Sequence, residues 1–263
     1  MSNQKESTAR TLLVALLVCL VCSVLVAGAA VALKPIQVVN SQLDKQRNIL
    51  AIAGLGDPTM SAADVQRLFD ERIVARLVNL ETGQFSDEHD PTTFDPLAAA
   101  REPSTSRVLT GAEDIASIKR LEKFSVVYIV EDASGDMETL VLPIRGYGLW
   151  STLHGFLALE SDLTTVQGLG FYQHAETPGL GGEVDNPRWR GQWPGKQVYD
   201  ENGNVAIRLV KGGADSTGPD ASHQVDGLAG ATLTANGVNN LLHFWLGENG
   251  FGAFINNLRA GEV

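Results

Sequence analysis

Two glycine-rich stretches of this 263-residue chain carry the residue types most suited to chemistry. The first, His174-Ala-Glu-Thr-Pro-Gly-Leu-Gly-Gly182, directly follows a strand-like run. His174 and Glu176 lie two apart and would face the same side of a continued strand, so a metal site or an acid/base pair is conceivable. A histidine–x–glutamate deaminase centre would also need a Pro-Cys-x-x-Cys element, and no cysteine follows Cys22. The stretch also reads as a proline–glycine turn with incidental polar residues. Equally, it reads as a ligand loop, in which Gly179, Gly181 and Gly182 let backbone N–H groups approach a ligand and Leu180 offers an apolar contact.

The second stretch is Asp226-Gly-Leu-Ala-Gly-Ala-Thr-Leu-Thr-Ala-Asn-Gly237, set before an apolar-periodic run. Glycines and threonines at a helix start direct N–H groups outward and favour an anion such as phosphate. With Thr232 as the N-cap, Thr234 falls in the first turn, where that field is strongest. The Gly-Lys-Ser/Thr element of a P-loop is missing. The glycine spacing is not that of a dinucleotide fingerprint either, and a polar loop rather than a strand precedes it. An ordinary helix start is the plain alternative.

Composition limits what these residues can be part of. The chain is 44% hydrophobic and 19% charged, with net charge −11. Residues 1–35 hold Lys5, Arg10 and Lys34 against Glu6, which leaves 17 basic and 30 acidic side chains in the remaining 228 residues. An acidic domain without Lys/Arg clusters lacks the footprint of a nucleic-acid binder. Both cysteines, Cys19 and Cys22, lie near the N-terminus, so the rest can form no disulfide, thiolate-bound zinc or iron–sulfur cluster and has no cysteine nucleophile.

The elements that must position the two stretches follow from patterning. Leu12 to Leu33 is free of charge and as a helix reaches roughly 33 Å, enough to cross a hydrocarbon core of about 30 Å. Ala30-Val31-Ala32 resembles a signal-peptide cleavage site, but the apolar run is longer than a signal core. Flanking charge gives no orientation. Helices are predicted over 41–52 and 61–80, the latter opened by Ser61 and Asp64 and carrying Val65, Phe69, Ile73, Leu77 and Leu80 on one face. Residues 82–107 read as a surface excursion rich in Ser, Thr, Asp and Pro. Strands are predicted over 124–130, 139–144, 155–160, 168–173 and 205–210, and helices over 232–246 and 251–259 with Gly247 as a C-cap. Strands flanked by helices give an α+β class: a single N-terminal transmembrane helix followed by a mixed helix/antiparallel-sheet domain. The expected divisions are a cytoplasmic tail over 1–11, the span at 12–33, a helical and loop part over 34–110, and a ligand-binding domain over 111–263.

VDGLAGATLTANGV (225–238) resembles the covalent flavin attachment motif. With GYGLWSTLHGFLALE (146–160), GLGFYQHAETPGLGGEVDNPRWR (168–190), the KGG at 211–213 and FWLGENGFGAF (244–254), the chain resembles the C-subunit family of the sodium-translocating NADH:quinone reductase. The resemblance implies an FMN joined through its phosphate to a threonine side chain by a flavin transferase that uses FAD. The motif's last hydroxyl is Thr234, with Asp226, Gly230, Ala231 and Thr232 at its other positions; Thr232 is the next candidate should Thr234 not carry the ester. Ala229 departs from the motif, which usually has Ser or Thr there. Glu176, Thr177, Gly179 and Leu180 are expected to wall the isoalloxazine. Trp150 would stack on it or be a core residue, and Lys211 would lie near the phosphate or be a solvated lysine.

The implied role is a periplasm-facing, single-pass flavoprotein subunit in the bacterial inner membrane, relaying electrons among other membrane and peripheral subunits. No catalytic residue and no metal ligand is expected, and a span without an ionisable residue offers no ion pathway. The alternatives are the G subunit of an Rnf-type ferredoxin:NAD oxidoreductase, which shares the motif, and a noncatalytic membrane-tethered scaffold without flavin.

Overall fold

The computed structural model describes residues 7–57, 59–215 and 217–263; the first six residues of the expected N-terminal tail lie outside that range. The chain divides into two compact units, Met1–Asp44 and Lys45–Val263. The described residues of the first are almost wholly helical. They form the major part of α1 (Thr8–Ile52), a helix of 45 residues long and apolar enough to cross a membrane. The helix expected over 41–52 is the end of α1 rather than a separate element. Pro35 sits inside it, and one proline forfeits one backbone bond without ending a helix that has good formers on both sides.

In the second unit the order is α2 (Ala62–Arg72), β1 (Ile73–Asn79), β2 (Gln84–Ser86), α3 (Pro96–Arg101), β3 (Ser106–Val108), β4 (Arg120–Glu122), β5 (Phe124–Glu131), β6 (Met137–Tyr147), β7 (Thr152–Glu160), β8 (Val166–Gln173), α4 (Pro187–Arg190), β9 (Arg208–Val210), β10 (Gln224–Asp226), α5 (Thr232–Leu246) and α6 (Gly252–Ala260). Six strands form one antiparallel sheet in the order β2-β1-β5-β6-β7-β8. Four of the five predicted strands and both C-terminal helices are present, and α5 ends at a Gly247 C-cap.

Three further expectations are corrected. The helix predicted over 61–80 stops at Arg72 and continues as β1, which pairs with β5 from Ile73↔Val130 to Asn79↔Phe124. The β-branched Ile73, Val74 and Val78 fit a pleated surface better than a helix interior, and Leu77 and Val78 are buried there. The Ser61 cap is as expected, its hydroxyl accepting the Asp64 N–H at 3.2 Å. The excursion over 82–107 is built of short elements: β2 at the sheet edge, β3 paired with β4, and α3, whose first-turn N–H groups Leu97 and Ala98 are capped by Asp95. The run 205–210 yields only β9, which pairs in parallel with β10 outside the main sheet. Its other edge is closed by Asn239 of α5, whose amide accepts from the Leu209 N–H (2.7 Å) and donates to the Leu209 carbonyl (3.2 Å).

The core lies between the sheet and α5. Leu140, Leu142, Leu157 and Val127 meet Leu241, Leu242, Trp245 and Phe254, all with 1% or less of their surface exposed. Two glycines bring α5 against β6. A Cβ on Gly146 would lie 2.5 Å from the Leu241 Cβ, and one on Gly237 would lie 2.4 Å from the Tyr147 carbonyl oxygen. Gly237→Ala is therefore expected to push α5 off the sheet and destabilise the domain by about 1–3 kcal/mol, as overpacking does. Urea unfolding should report this as a lowered midpoint with an unchanged slope.

Candidate functional site

Beyond β8 the chain turns and sends Glu176 inward, where only 5% of its surface remains exposed. One carboxylate oxygen accepts three successive backbone N–H groups, those of Leu149 (3.1 Å), Trp150 (3.0 Å) and Ser151 (3.2 Å), from the turn between β6 and β7. The other accepts the Thr234 hydroxyl at 2.8 Å. Burial acts to raise the carboxyl pKa, but the hydrogen bonds from Thr234 and the three N–H groups outweigh it, so the net shift is downward from the ordinary 4.5. The carboxylate is ionised at neutral pH. Glycines make room for it: a Cβ on Gly148 would lie 2.6 Å from one Glu176 oxygen, and one on Gly181 would lie 2.7 Å from the other and 2.6 Å from the Thr234 hydroxyl.

His174 does not join Glu176 in a metal site or an acid/base pair. Its Nε2 contacts Asp185 at 2.8 Å, and its Nδ1 accepts the Glu176 backbone N–H at 3.2 Å. That second bond fixes the tautomer with the proton on Nε2. Glu176 is likewise not a wall residue, because its side chain is spent beneath the surface.

The second stretch also departs from expectation in a way its burial pattern explains. The N-cap of α5 is Ala231, not Thr232, and it makes no side-chain cap. Val225, Leu228, Ala231 and Thr234 are buried, whereas Ala229, Gly230, Thr232 and Leu233 are exposed. Thr234, the expected esterification site, has none of its surface exposed. Thr232 presents its side chain at the first helical position, where N–H groups have no intrahelical acceptor. Among the described residues, the N–H groups of Thr232, Leu233 and Thr234 meet no backbone or side-chain acceptor. Together with the helix dipole they form a seat for an anion.

Around this seat is an apolar rim. Trp150 is 66% exposed, so it is no core residue, and Leu233 (58%) and Leu180 (43%) are exposed too. Leu180 leans over the turn, its Cδ2 only 3.0 Å from where a Cβ on Gly230 would stand, and Gly230 has φ +73°. Thr177 and Gly179 are exposed on the same loop, whose shape is held by the Thr177 carbonyl accepting from Leu180 and Gly182. The two stretches singled out in the sequence thus meet. Lys211 is exposed. The loop it begins is pinned by Asp226, whose carboxylate accepts the Ala214 N–H at 2.7 Å, while the Trp189 indole donates to the Asp226 carbonyl at 2.8 Å. These roles of Asp226 and of the 149–151 turn carried no local sequence signal, because their partners lie 12 or more positions away.

Comparison with known proteins accounts for this arrangement. The FMN-binding domain family matches residues 148–247, a range that holds both the Glu176 turn and α5. Over its whole length the chain is 64% identical to the C subunit of the Na(+)-translocating NADH-quinone reductase of Pseudomonas aeruginosa, all of which is covered. It is 52% identical to that of Yersinia pestis, over 99% of this chain and 97% of that one. The chain belongs to the C-subunit family of the Na(+)-translocating NADH-quinone reductase. Among solved members, the crystal structure of Shewanella oneidensis NqrC superposes with a TM-score of 0.75 at 38% identity, over 82% of this chain and 96% of that one. The C-subunit structure from Parabacteroides distasonis gives 0.62 at 27%, over 86% and 96%. The fold of the NqrC family is therefore present, with its membrane anchor supplied by α1. The residues fit FMN by two observations: open first-turn N–H groups suited to a phosphate, and an exposed Trp150, Leu180 and Leu233 suited to an apolar ring.

The buried Glu176 gives a pH prediction. Its folded pKa lies below the ordinary 4.5, so its contribution to stability is present above that value and lost as pH falls through the folded pKa. Acid titration of stability below about pH 4.5 should be shallower in Glu176→Gln. The same variant should lose about 1–3 kcal/mol at pH 7, because an amide offers one acceptor where the carboxylate offers two. A pH–stability profile identical to that of the unaltered chain would remove Glu176 from this role.

Proposed function

We propose that this chain is the FMN-carrying electron relay of a sodium-translocating NADH:quinone reductase, with the flavin held by a phosphoester to Thr232. The observation that carries the attachment is the contrast between the two threonines. Thr232 is exposed at an uncapped helix start, while Thr234 is fully buried with its hydroxyl donating a hydrogen bond to Glu176. This replaces the expectation of Thr234. A transferase must reach the hydroxyl to activate it, and the Thr234 hydroxyl, with none of its surface exposed, offers no access.

When bound, FMN supplies one- and two-electron redox chemistry. The chain's own residues bind and orient it. The N–H groups of the first turn of α5 would hold the phosphate, Thr177 and the loop backbone would offer hydrogen bonds to the flavin, and Leu180, Leu233 and Trp150 would give it apolar contact. Ala229 is exposed beside this seat, so the hydroxyl usual there in the motif is replaced at the surface and not in the core. A dedicated flavin transferase forms the ester from FAD: the Thr232 oxygen displaces AMP at the flavin-side phosphorus, the pyrophosphate bond breaks, and the hydroxyl proton is released; the electron donor and acceptor are other subunits of the complex. This chain turns over no substrate alone, and its span, free of charge from Leu12 to Leu33, conducts no ion.

Two measurements test the reading. Co-expressed with a flavin transferase, Thr232→Val should lose the FMN adduct in intact-protein mass and in-gel fluorescence, whereas Thr234→Val should keep it on a less stable fold. The reverse pattern would return the ester to Thr234. For orientation, a membrane-impermeant protease added to sealed spheroplasts is expected to digest the chain after residue 36. Full protection would put the domain on the cytoplasmic side.

A further inference from the structure

A second site lies away from the flavin seat. The strands β5 and β6 pair only from Tyr128↔Val141 to Glu131↔Met137. Before Tyr128 they part, and Pro143, which has no N–H for a ladder bond, stands where β6 leaves its neighbour. The fork opens a cavity of about 60 Å³. Strand alternation sets Tyr128, Pro143 and Phe156 on the face opposite Leu142, Ile144 and α5.

The walls of this cavity carry one fully buried hydroxyl without a partner and several donors on partly exposed side chains. Ser125 is 1% exposed, and its hydroxyl has no hydrogen-bond partner among the described residues. The Tyr128 and Tyr172 phenols, both pushed up to about 12 chiefly by burial, likewise make no hydrogen bond among the described residues. Nor does the ring of His154, lowered to about 4 by burial and then by Arg145, Lys45 and Arg101. It is therefore neutral and able to donate from one nitrogen. Lys45 reaches the cavity over the Tyr172 ring, 5.8 Å from its centroid. The carboxylates, by contrast, are engaged. Glu122 is clamped by both terminal nitrogens of Arg145, and Asp95 caps α3. A buried polar group without a partner is uncommon; here the Ser125 hydroxyl is one, beside the Tyr128, Tyr172 and His154 donors and the Lys45 ammonium, while the charge of Arg145 is neutralised by Glu122.

We propose that this cavity binds one small oxyanion of the size of phosphate or sulfate, held by Lys45, Ser125, Tyr128, Tyr172 and His154. The ligand must be acceptor-rich and anionic to match those groups. It must also be small, since about 60 Å³ falls well short of the roughly 300 Å³ at which pockets for larger organic ligands begin. The site is independent of the flavin reading, because none of its residues touches the α5 seat.

The test uses the full-length, FMN-loaded chain in detergent, titrated with inorganic phosphate and followed by calorimetry and by the resonances of ¹³C-labelled histidine. Phosphate is expected to bind saturably and to raise the His154 titration midpoint from about 4, since a neighbouring anion favours the imidazolium. Lys45→Gln should weaken binding by about tenfold or more, and Tyr172→Phe by a few-fold, as loss of a charge-assisted or a neutral hydrogen bond does. Both variants should unfold at the original temperature without phosphate. The absence of saturable binding would mean that the cavity holds water alone and would overturn the proposal. So would binding that persists undiminished in Lys45→Gln with an unmoved His154 resonance, which would assign the ion to another place.

Discussion

The carboxylate of Glu176 holds three distant stretches of chain at fixed separation: its own loop after β8, the turn at 149–151 and the first turn of α5. An ionised group so deeply buried is tolerable only when its lone pairs are met. Here five donors meet them, the Ser151 hydroxyl included, and the hydrogen bonds are of the charge-assisted kind, the stronger class. Each partner must therefore stay where it is, or a buried charge is left uncompensated. The exposed rim inherits its geometry from this hidden contact, because Trp150, Leu180 and Leu233 are neighbours in space only while the three stretches are held together.

That constraint explains glycines that would otherwise pass as turn residues. Gly148 and Gly181 have no space for a methyl group because the carboxylate and the Thr234 hydroxyl stand there. Gly146 and Gly237 do the same for the approach of α5 to β6. Backbone-close packing of helix on strand then delivers the N-terminus of α5 to the end of β6 beside the β6–β7 turn, where its free N–H groups can face a ligand. At a second place the sheet is opened rather than closed, by Pro143 and the parting of β5 from β6, and the polar groups exposed by that fork remain without partners among the described residues.

Periodicity made much of this architecture legible. The apolar stripe Val238, Leu241, Leu242 and Trp245 marked α5, and the alternating runs marked β5 to β8, since both patterns report a face that must be buried. Local patterning failed where a long-range contact overrode it. Ile73, Leu77 and Leu80 are spaced for a helix face, yet pairing with β5 draws the segment into a strand. The site was legible as two stretches that would meet, but not in the division of labour inside them. Thr232 and Thr234 are indistinguishable in composition, and only the fold decides which hydroxyl is turned to Glu176 and which to solvent.

The alternation of buried and exposed positions across 225–234 bears on how an enzyme could recognise this segment. Val225, Leu228, Ala231 and Thr234 belong to the interior, and Asp226 is occupied with the backbone of a loop 12 positions upstream. What a modifying enzyme meets on the folded chain is thus a corner made of Ala229, Gly230, Thr232 and Leu233. A short peptide tag cut from this region would display the same letters, but its hydroxyls would be equivalent and its helix start unformed. It is thus the fold, rather than the order of letters, that makes the two neighbouring threonines different, one facing solvent and the other closed against Glu176.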